Sequence, residues 1–186
     1  MNSIEYAGEI ARELDRTVRA ITPAEAERLC DLILQARRVL VAGAGRSGLA
    51  TKACAMRLMH LGLDAYVVGE TVTPPLGPAD LLLIGSGSGE TAGLVTIAEK
   101  ARAIGARLAL VSIFPQSRLG RLAEVVVRIP APTPKAPAGG GATSVQPMGS
   151  LFEQSLLVFL DAVVMRVMER KGIDAASMFE RHANLE

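Results

Sequence analysis

Leu81-Leu82-Leu83-Ile84-Gly85-Ser86-Gly87-Ser88-Gly89-Glu90-Thr91 joins three signals in one short stretch. The unbroken apolar run reads as a strand covered on both faces, as in a parallel sheet. The alternating glycines let the backbone approach a ligand closely. From Glu90 the pattern becomes helical as far as Ile104, with Gly105 as the C-cap. The same order of strand, glycine loop and helix occurs upstream. Val39-Leu40-Val41-Ala42 is a strand, Gly43-Ala44-Gly45-Arg46-Ser47-Gly48 the loop, and Ser47 to Leu61 the helix.

Outward from these two units the alternation continues. Ala65-Tyr66-Val67-Val68, Leu108-Ala109-Leu110-Val111 and Val125-Val126-Val127 read as strands, and Ser117 to Leu122 as a short helix. Pro74, Pro75, Gly77 and Pro78 mark a loop. This order predicts an α/β fold, a doubly wound five-stranded parallel sheet with right-handed crossovers and helices on both faces. Extra helices flank it. Residues 3–19 carry Ile4, Ala7, Ile10, Leu14 and Val18 at helical spacing, and residues 23–36 follow Thr22 as N-cap with Pro23 in the first position. Residues 130–148, rich in Pro and Gly, form a loop suited to act as a lid or a connector. Residues 150–171 are helical again, and the tail from Met178 is helical at first and then irregular. One domain over 1–186 is expected: N-terminal helices (1–37), α/β core (38–129), Pro/Gly loop (130–148), and C-terminal helix and tail (149–186).

With 186 residues the chain suits one domain, and 49% hydrophobic against 21% charged residues is a globular composition. A net charge of +1 without a basic run gives no footprint for nucleic acid, and 3% aromatics without Trp give no stacking platform. No apolar stretch approaches the roughly 20 residues that span a bilayer. The polar start Met1-Asn2-Ser3-Ile4-Glu5 does not read as a leader, so the cytoplasm is the expected compartment. Cys30 and Cys54 lack metal-ligand spacing and read as reduced, buried thiols. Met56, Met59, Met165 and Met168 recur at helical spacing and read as core or subunit interface.

Both glycine loops leave strands at the carboxyl edge of the sheet, where open α/β sheets bind ligands. Helix N-termini there offer unpaired N–H groups and partial positive charge. Gly45, Gly87 and Gly89 let the backbone approach, Ser47, Ser86, Ser88 and Thr91 add hydroxyl donors, and Arg46 adds a planar fork suited to oxyanions. The expected ligand is a phosphate. Residues 43–48 match Gly-x-Gly-x-x-Gly formally, but Arg46, Ser47 and the hydroxyls of the second loop suit a compact anion better than a dinucleotide. A Walker loop is excluded, because no Gly-Lys-Ser/Thr sequence occurs.

Residues 85–91 resemble the phosphate loop of sugar isomerase (SIS) domains. Gly43–Gly48, Met56–Gly62, Val68–Thr71, Gln146–Gln154 and Arg181–Glu186 extend the resemblance to the 6-phospho-3-hexuloisomerase family, from about residue 30 to the C-terminus. Gly85 departs slightly from the pattern, where a hydroxyl or another small residue is usual. The resemblance implies a flavodoxin-like SIS fold that converts D-arabino-hex-3-ulose 6-phosphate to D-fructose 6-phosphate through a cis-enediol, in ribulose monophosphate formaldehyde fixation. It implies no cofactor and no metal, a phosphorylated hexulose as ligand, and a homotetramer with sites shared between subunits. It also points to Glu153 as the base that moves the carbon-bound proton. The other reading of Glu153 is an acid at a helix N-terminus. The oxygen proton then falls to His182, His60 or no histidine, since the chain has only these two. His182 reads either as a tail residue entering a neighbour's site or as a solvated one. Two alternatives stay open: another phosphosugar aldose–ketose isomerase, or a non-catalytic module that senses a phosphosugar. A sensor needs the hydroxyl loop but no base.

Overall fold

Strands that are apolar on both sides need helices on both sides, and that requirement organises the molecule. The computed structural model describes residues 1–133 and 143–185. Its sheet contains β1 (Val39–Gly43), β2 (Ala65–Val67), β3 (Leu81–Gly85), β4 (Arg107–Ser112) and β5 (Val125–Arg128), all parallel in the order β2-β1-β3-β4-β5. Helices α1 (Ser3–Arg19) and α2 (Pro23–Gln35) precede the sheet, and α3 (Gly45–His60) links β1 to β2. Helices α4 (Ala92–Ile104) and α5 (Arg118–Leu122) follow β3 and β4, and α6 (Ser150–Lys171) and α7 (Ala175–Phe179) come last.

Successive strand residues point to opposite faces. Val39, Val41, Leu81, Leu83 and Val111 share one core with Leu29 of α2, Leu58 of α3 and Leu156 of α6. Leu40, Ala42, Leu82, Ile84 and Leu110 share the other with Val95 of α4 and Leu119 of α5. This is the doubly wound sheet that the sequence predicts, with the strand reversal between β1 and β3.

The differences are local. Helix α3 begins at Gly45 instead of Ser47, because Gly48 N–H already closes a turn onto the Ala44 carbonyl at 3.2 Å. Helix α4 begins at Ala92, with Thr91 as N-cap, while the Glu90 side chain turns away to accept Arg118 N–H at 2.8 Å. The tail helix ends near where the sequence places its start, since Asp174 caps it by accepting Ser177 N–H at 2.8 Å. Gly105 is the left-handed C-cap expected of it, at φ 86°. Met56, Met59 and Met165 are 46%, 41% and 66% exposed, which corrects the core half of their expectation; only Met168 packs on the core. The buried faces of α3 and α6 are filled by other residues, Ala50, Cys54 and Leu58 on α3 and Phe152, Leu156 and Leu160 on α6, so these methionines stand outside. Cys30 and Cys54 are buried free thiols, and burial pushes them up to about 11 and about 12. Of the Pro/Gly stretch read as a lid, residues 134–142 lie outside the described residues.

The connection from β2 to β3 has no helix and is held by a buried carboxylate. Asp80, fully buried, accepts Arg37 Nε and Nη2 at 3.0 and 3.1 Å and Gly77 N–H at 2.7 Å. Burial alone would raise its pKa, but the Arg37 and Gly77 bonds prevail and hold it below the ordinary 3.8. Asp80→Ala therefore leaves Gly77 N–H and Arg37 unpartnered and is expected to cost about 2 kcal/mol at neutral pH. The stabilisation is complete above the unfolded-state value of 3.8 and fades as pH falls through the lower folded value. Denaturant unfolding of both proteins across the acid range should show the gap narrowing there.

Candidate active site

The strand register brings the two glycine loops side by side. Gly43 pairs with Gly85 across β1 and β3, so both loops leave the sheet at one level. A Cβ on Gly43 would lie 2.8 Å from Gly48 Cα, and one on Gly48 would lie 2.7 Å from the Gly43 carbonyl oxygen. Only glycine at both positions lets the start of α3 fold back onto β1. The departure at Gly85 has a steric cause, since a Cβ there would lie 2.7 Å from the Thr51 methyl and 2.8 Å from Leu156 Cδ2.

A cavity of about 480 Å³ opens where the N-termini of α3, α4 and α6 converge, between Gly45, Ser47, Ser86, Gly87, Ser88, Thr91, Gly149, Phe152 and Glu153. The N-cap residues of these helices, Ala44, Thr91 and Gly149, make no side-chain capping bond. Asn2, Ser117 and Asp174 do cap α1, α5 and α7, while α2, which gives no residue to the cavity, also starts without a side-chain cap at Thr22. Helix starts left uncapped around one cavity present N–H donors and dipole ends to an anion.

The serine loop is braced as well as exposed to the cavity. Ser86 is buried and accepts Gly89 N–H at 3.2 Å, and Ser88 accepts Glu90 N–H at 3.2 Å. Each hydroxyl keeps its own proton to donate. From β4, Ile113 N–H and the Ser112 hydroxyl both donate to the Gly87 carbonyl at 3.2 Å.

Glu153 stands in the first turn of α6, on the cavity wall and 23% exposed. Arg46 Nε lies 3.2 Å from its Oε2, and Arg46 Nη1 donates to Ser150 Oγ at 3.4 Å. Arg46 thus meets the base candidate at the mouth instead of lining the cavity. The structure gathers Gly45, Ser47, Ser86, Gly87, Ser88, Thr91 and Glu153 around this space, and Gly89 shapes the loop from behind.

The histidines stand elsewhere. His60 is the last residue of α3, a helix roughly 22 Å long, and Gly45 at the cavity is its first. His60 is buried, its Nδ1 lies 3.3 Å from Arg57 Nη1, and its ring stacks on His182 at 5.5 Å. Phe179 also stacks with His182 at 5.9 Å, and Arg181 Nη1 donates to the His60 carbonyl at 3.4 Å. Burial first, then the Arg57 and His182 charges, hold His60 below the ordinary 6.5. Within one chain, neither histidine reaches the cavity.

Sequence reasoning missed Met148, Phe152, Ile113 and Leu94 on the cavity wall. Ile113 follows the end of β4, so the rule that ligands bind at strand ends could have found it, whereas Met148 and Phe152 stand on either side of Gly149 at the start of α6, where only the fold brings them to the cavity. Among the described residues, no group of three or more His, Cys, Asp or Glu is placed to hold a metal ion.

An SIS domain matches residues 32–158, so the chain belongs to the SIS domain family. The chain is 48% identical to the 3-hexulose-6-phosphate isomerase of Bacillus subtilis, over all of both proteins. It is 45% identical to the enzyme of the same name from Mycobacterium gastri, over 94% of this chain and 86% of that one. A solved structure from Methanococcus jannaschii, from which the function of a 3-hexulose-6-phosphate isomerase was inferred, matches at a TM-score of 0.84. It is 31% identical and covers 98% of this chain and 99% of its own.

Gly89 tests the loop geometry. Its φ is +63°, and an added Cβ would collide with Ser117 Oγ. Gly89→Ala is expected to destabilise by about 1–3 kcal/mol. In a thermal-shift titration, inorganic phosphate should stabilise the wild type and lose most of that effect in the variant.

Proposed function

We propose that this chain converts D-arabino-hex-3-ulose 6-phosphate to D-fructose 6-phosphate, with Glu153 as the base. One observation carries the reading: a single cavity joins uncapped helix starts and serine hydroxyls, which suit a phosphate, to the Glu153 carboxylate in the first turn of α6. The full-length similarity to 3-hexulose-6-phosphate isomerases supports the choice of sugar.

The chemistry needs proton transfers alone. The phosphate sits against Ser47, Ser86, Ser88 and Thr91 and the N–H groups near Gly45, Gly87 and Gly89. Glu153 takes the proton from C2, and the electron pair of that bond forms the C2–C3 double bond. The C3 carbonyl oxygen gains a proton and becomes a hydroxyl, giving a cis-enediol. Loss of the O2 proton then restores a carbonyl at C2 while Glu153 returns its proton to C3. The bond count balances without an external oxidant. Arg46, ion-paired with Glu153 at 3.2 Å, holds that carboxylate in place from the cavity mouth.

His182 fits this scheme through a neighbouring copy, with His60 stacked beneath it as support. A site shared in this way needs at least one neighbouring copy, and we read the assembly as a homotetramer in the cytoplasm. It is supported by an exposed apolar stripe of Leu49, Met56 and Met59 on α3 and Val158 and Met165 on α6. The buried free thiols agree with a reducing compartment.

Glu153→Gln keeps the shape but cannot take a carbon-bound proton. Turnover of the 3-hexulose phosphate, followed by coupled assay of fructose 6-phosphate, should fall about 10²- to 10⁴-fold while phosphosugar binding persists. Wild-type rates in this variant would remove Glu153 from the role. Ser88→Ala should instead weaken substrate binding, read as a raised KM, and an unchanged KM would take Ser88 out of the phosphate site.

A further inference from the structure

Glu13 lies on α1, a helix that supplies no residue to the cavity wall, yet it is only 4% exposed. Both its carboxylate oxygens are occupied by one short strap of distant chain. Oε2 accepts the Ser144 hydroxyl at 2.7 Å and Gln146 Nε2 at 3.1 Å, and Oε1 accepts Val145 N–H at 2.9 Å. Ser144 Oγ accepts Gln146 N–H at 3.0 Å and ties the strap to itself. Burial works to raise the pKa of Glu13, but these bonds, with Arg16 nearby, outweigh it and hold the carboxyl below the ordinary 4.5. A buried carboxylate given three donors is a built contact and not an incidental one.

What the strap leads into gives the contact its meaning. Pro147 follows, then Met148 at φ +57°, the one positive-φ residue other than glycine among the described residues. A bulky side chain in that region costs about 1–3 kcal/mol and persists only where its surroundings over-determine it. Ser150 N–H returns to the Pro147 carbonyl at 3.3 Å, and Glu153 N–H bonds the Gly149 carbonyl at 3.0 Å. Met148 and Gly149 face the cavity, and Glu153 stands one turn further on. The strained turn is thus gripped from two sides, by α6 downstream and by Glu13 upstream.

We infer that Glu13 is a positioning residue: by holding Ser144, Val145 and Gln146 it fixes the Pro147–Gly149 turn and so sets where the Glu153 carboxylate stands. This rests on the reading of Glu153 as the base. It couples the N-terminal helix, which the sequence marks only as a packing element, to the chemistry.

The test compares wild type, Glu13→Ala, Glu13→Gln and Gln146→Ala by amide hydrogen exchange and by steady-state kinetics. In Glu13→Ala the amides of residues 144–150 should exchange faster while those of β1 and β3 keep their protection. Turnover should fall about 10- to 100-fold, the scale on which slight misplacement of a catalytic group acts. KM should hardly move, because the serine loop is untouched. Glu13→Gln, whose amide oxygen can still accept Val145 N–H, should recover part of both effects. Glu13→Ala/Gln146→Ala should be little worse than Glu13→Ala, as expected for partners in one contact. Unchanged exchange in Glu13→Ala would show that there is no latch. Faster exchange with unchanged turnover would show a latch that positions nothing, and either result overturns the inference. If Glu13→Ala does not fold, Gln146→Ala with Ser144→Ala removes both side-chain donors from the strap side, leaving only Val145 N–H on Glu13, and is judged by the same two readings. A wild type inactive on the 3-hexulose phosphate would sink the isomerase reading by itself, while the exchange data still decide whether the latch exists.

Discussion

The backbone of α3 touches the backbone of β1 at Gly43 and Gly48, and the site is arranged around that contact. The atoms a Cβ would meet there are main-chain atoms, which cannot rotate out of the way as a side chain can. The contact presses the first turn of α3 against the carboxyl edge of the sheet, beside Gly85 in the same register. Helix α6 then packs on α3 and the sheet through Leu156 and Leu160, which puts the Phe152 ring 3.1 Å from where a Cβ on Gly87 would stand. Three helix starts meet around one cavity because one pair of glycines allows the first of them to come close. Strand order alone would place two loops near each other; the glycine contact makes their helix ends share a space.

Much of this was legible in the sequence because it depends on local pattern. Unbroken apolar runs such as Leu81–Ile84 and glycine punctuation at Gly43 and Gly105 are short-range signals, and they lead directly to a doubly wound sheet. The serine loop was legible for the same reason. Contacts between residues far apart in the chain were not. Nothing near Glu13 marks it as the partner of residues 144–146, and nothing in Asp80 distinguishes a buried staple from a loop acid. The histidines show the limit most clearly. Both are conspicuous by chemistry, but the distance from His60 to the cavity follows from α3 running straight from Gly45, and a list of candidate residues carries no distances.

Carboxylates, buried and exposed alike, do a common job in this fold. Asp80 accepts Gly77 N–H, Glu13 accepts Val145 N–H, Glu90 accepts Arg118 N–H and Glu25 accepts Arg128 N–H. In each case an acid supplies a backbone donor with the partner that regular secondary structure would otherwise provide. Charged acceptors make stronger bonds than neutral ones, so they suit segments with few other constraints. The two that are most buried, Asp80 and Glu13, hold the helix-free connection before β3 and the strap before α6. Both segments lead into elements that form the cavity.

On the proposed reading of the cavity, an anion site and a general base make opposite electrostatic demands on one layout. Helix starts favour negative charge, but a phosphate and the Glu153 carboxylate in one small space work against each other. Two features reduce that conflict. The first is distance: in a hexulose 6-phosphate the C2–C3 bond is separated from the phosphate by the length of the sugar chain, so the phosphate can rest on the serine loop while the reacting carbons reach toward α6. The second is Arg46, which projects from the first turn of α3 and lies 3.2 Å from Glu153. Its charge offsets the carboxylate's without removing the carboxylate's second oxygen from use. Moving Arg46 away would leave the base facing the phosphate uncompensated, and moving the α6 turn would carry Glu153 out of reach of the sugar. The positions of Arg46 and of the turn before Glu153 therefore have to be held as firmly as the serine loop itself, which is where the short Gly43–Gly48 contact at the start of α3 and the Glu13 strap before α6 do equivalent work.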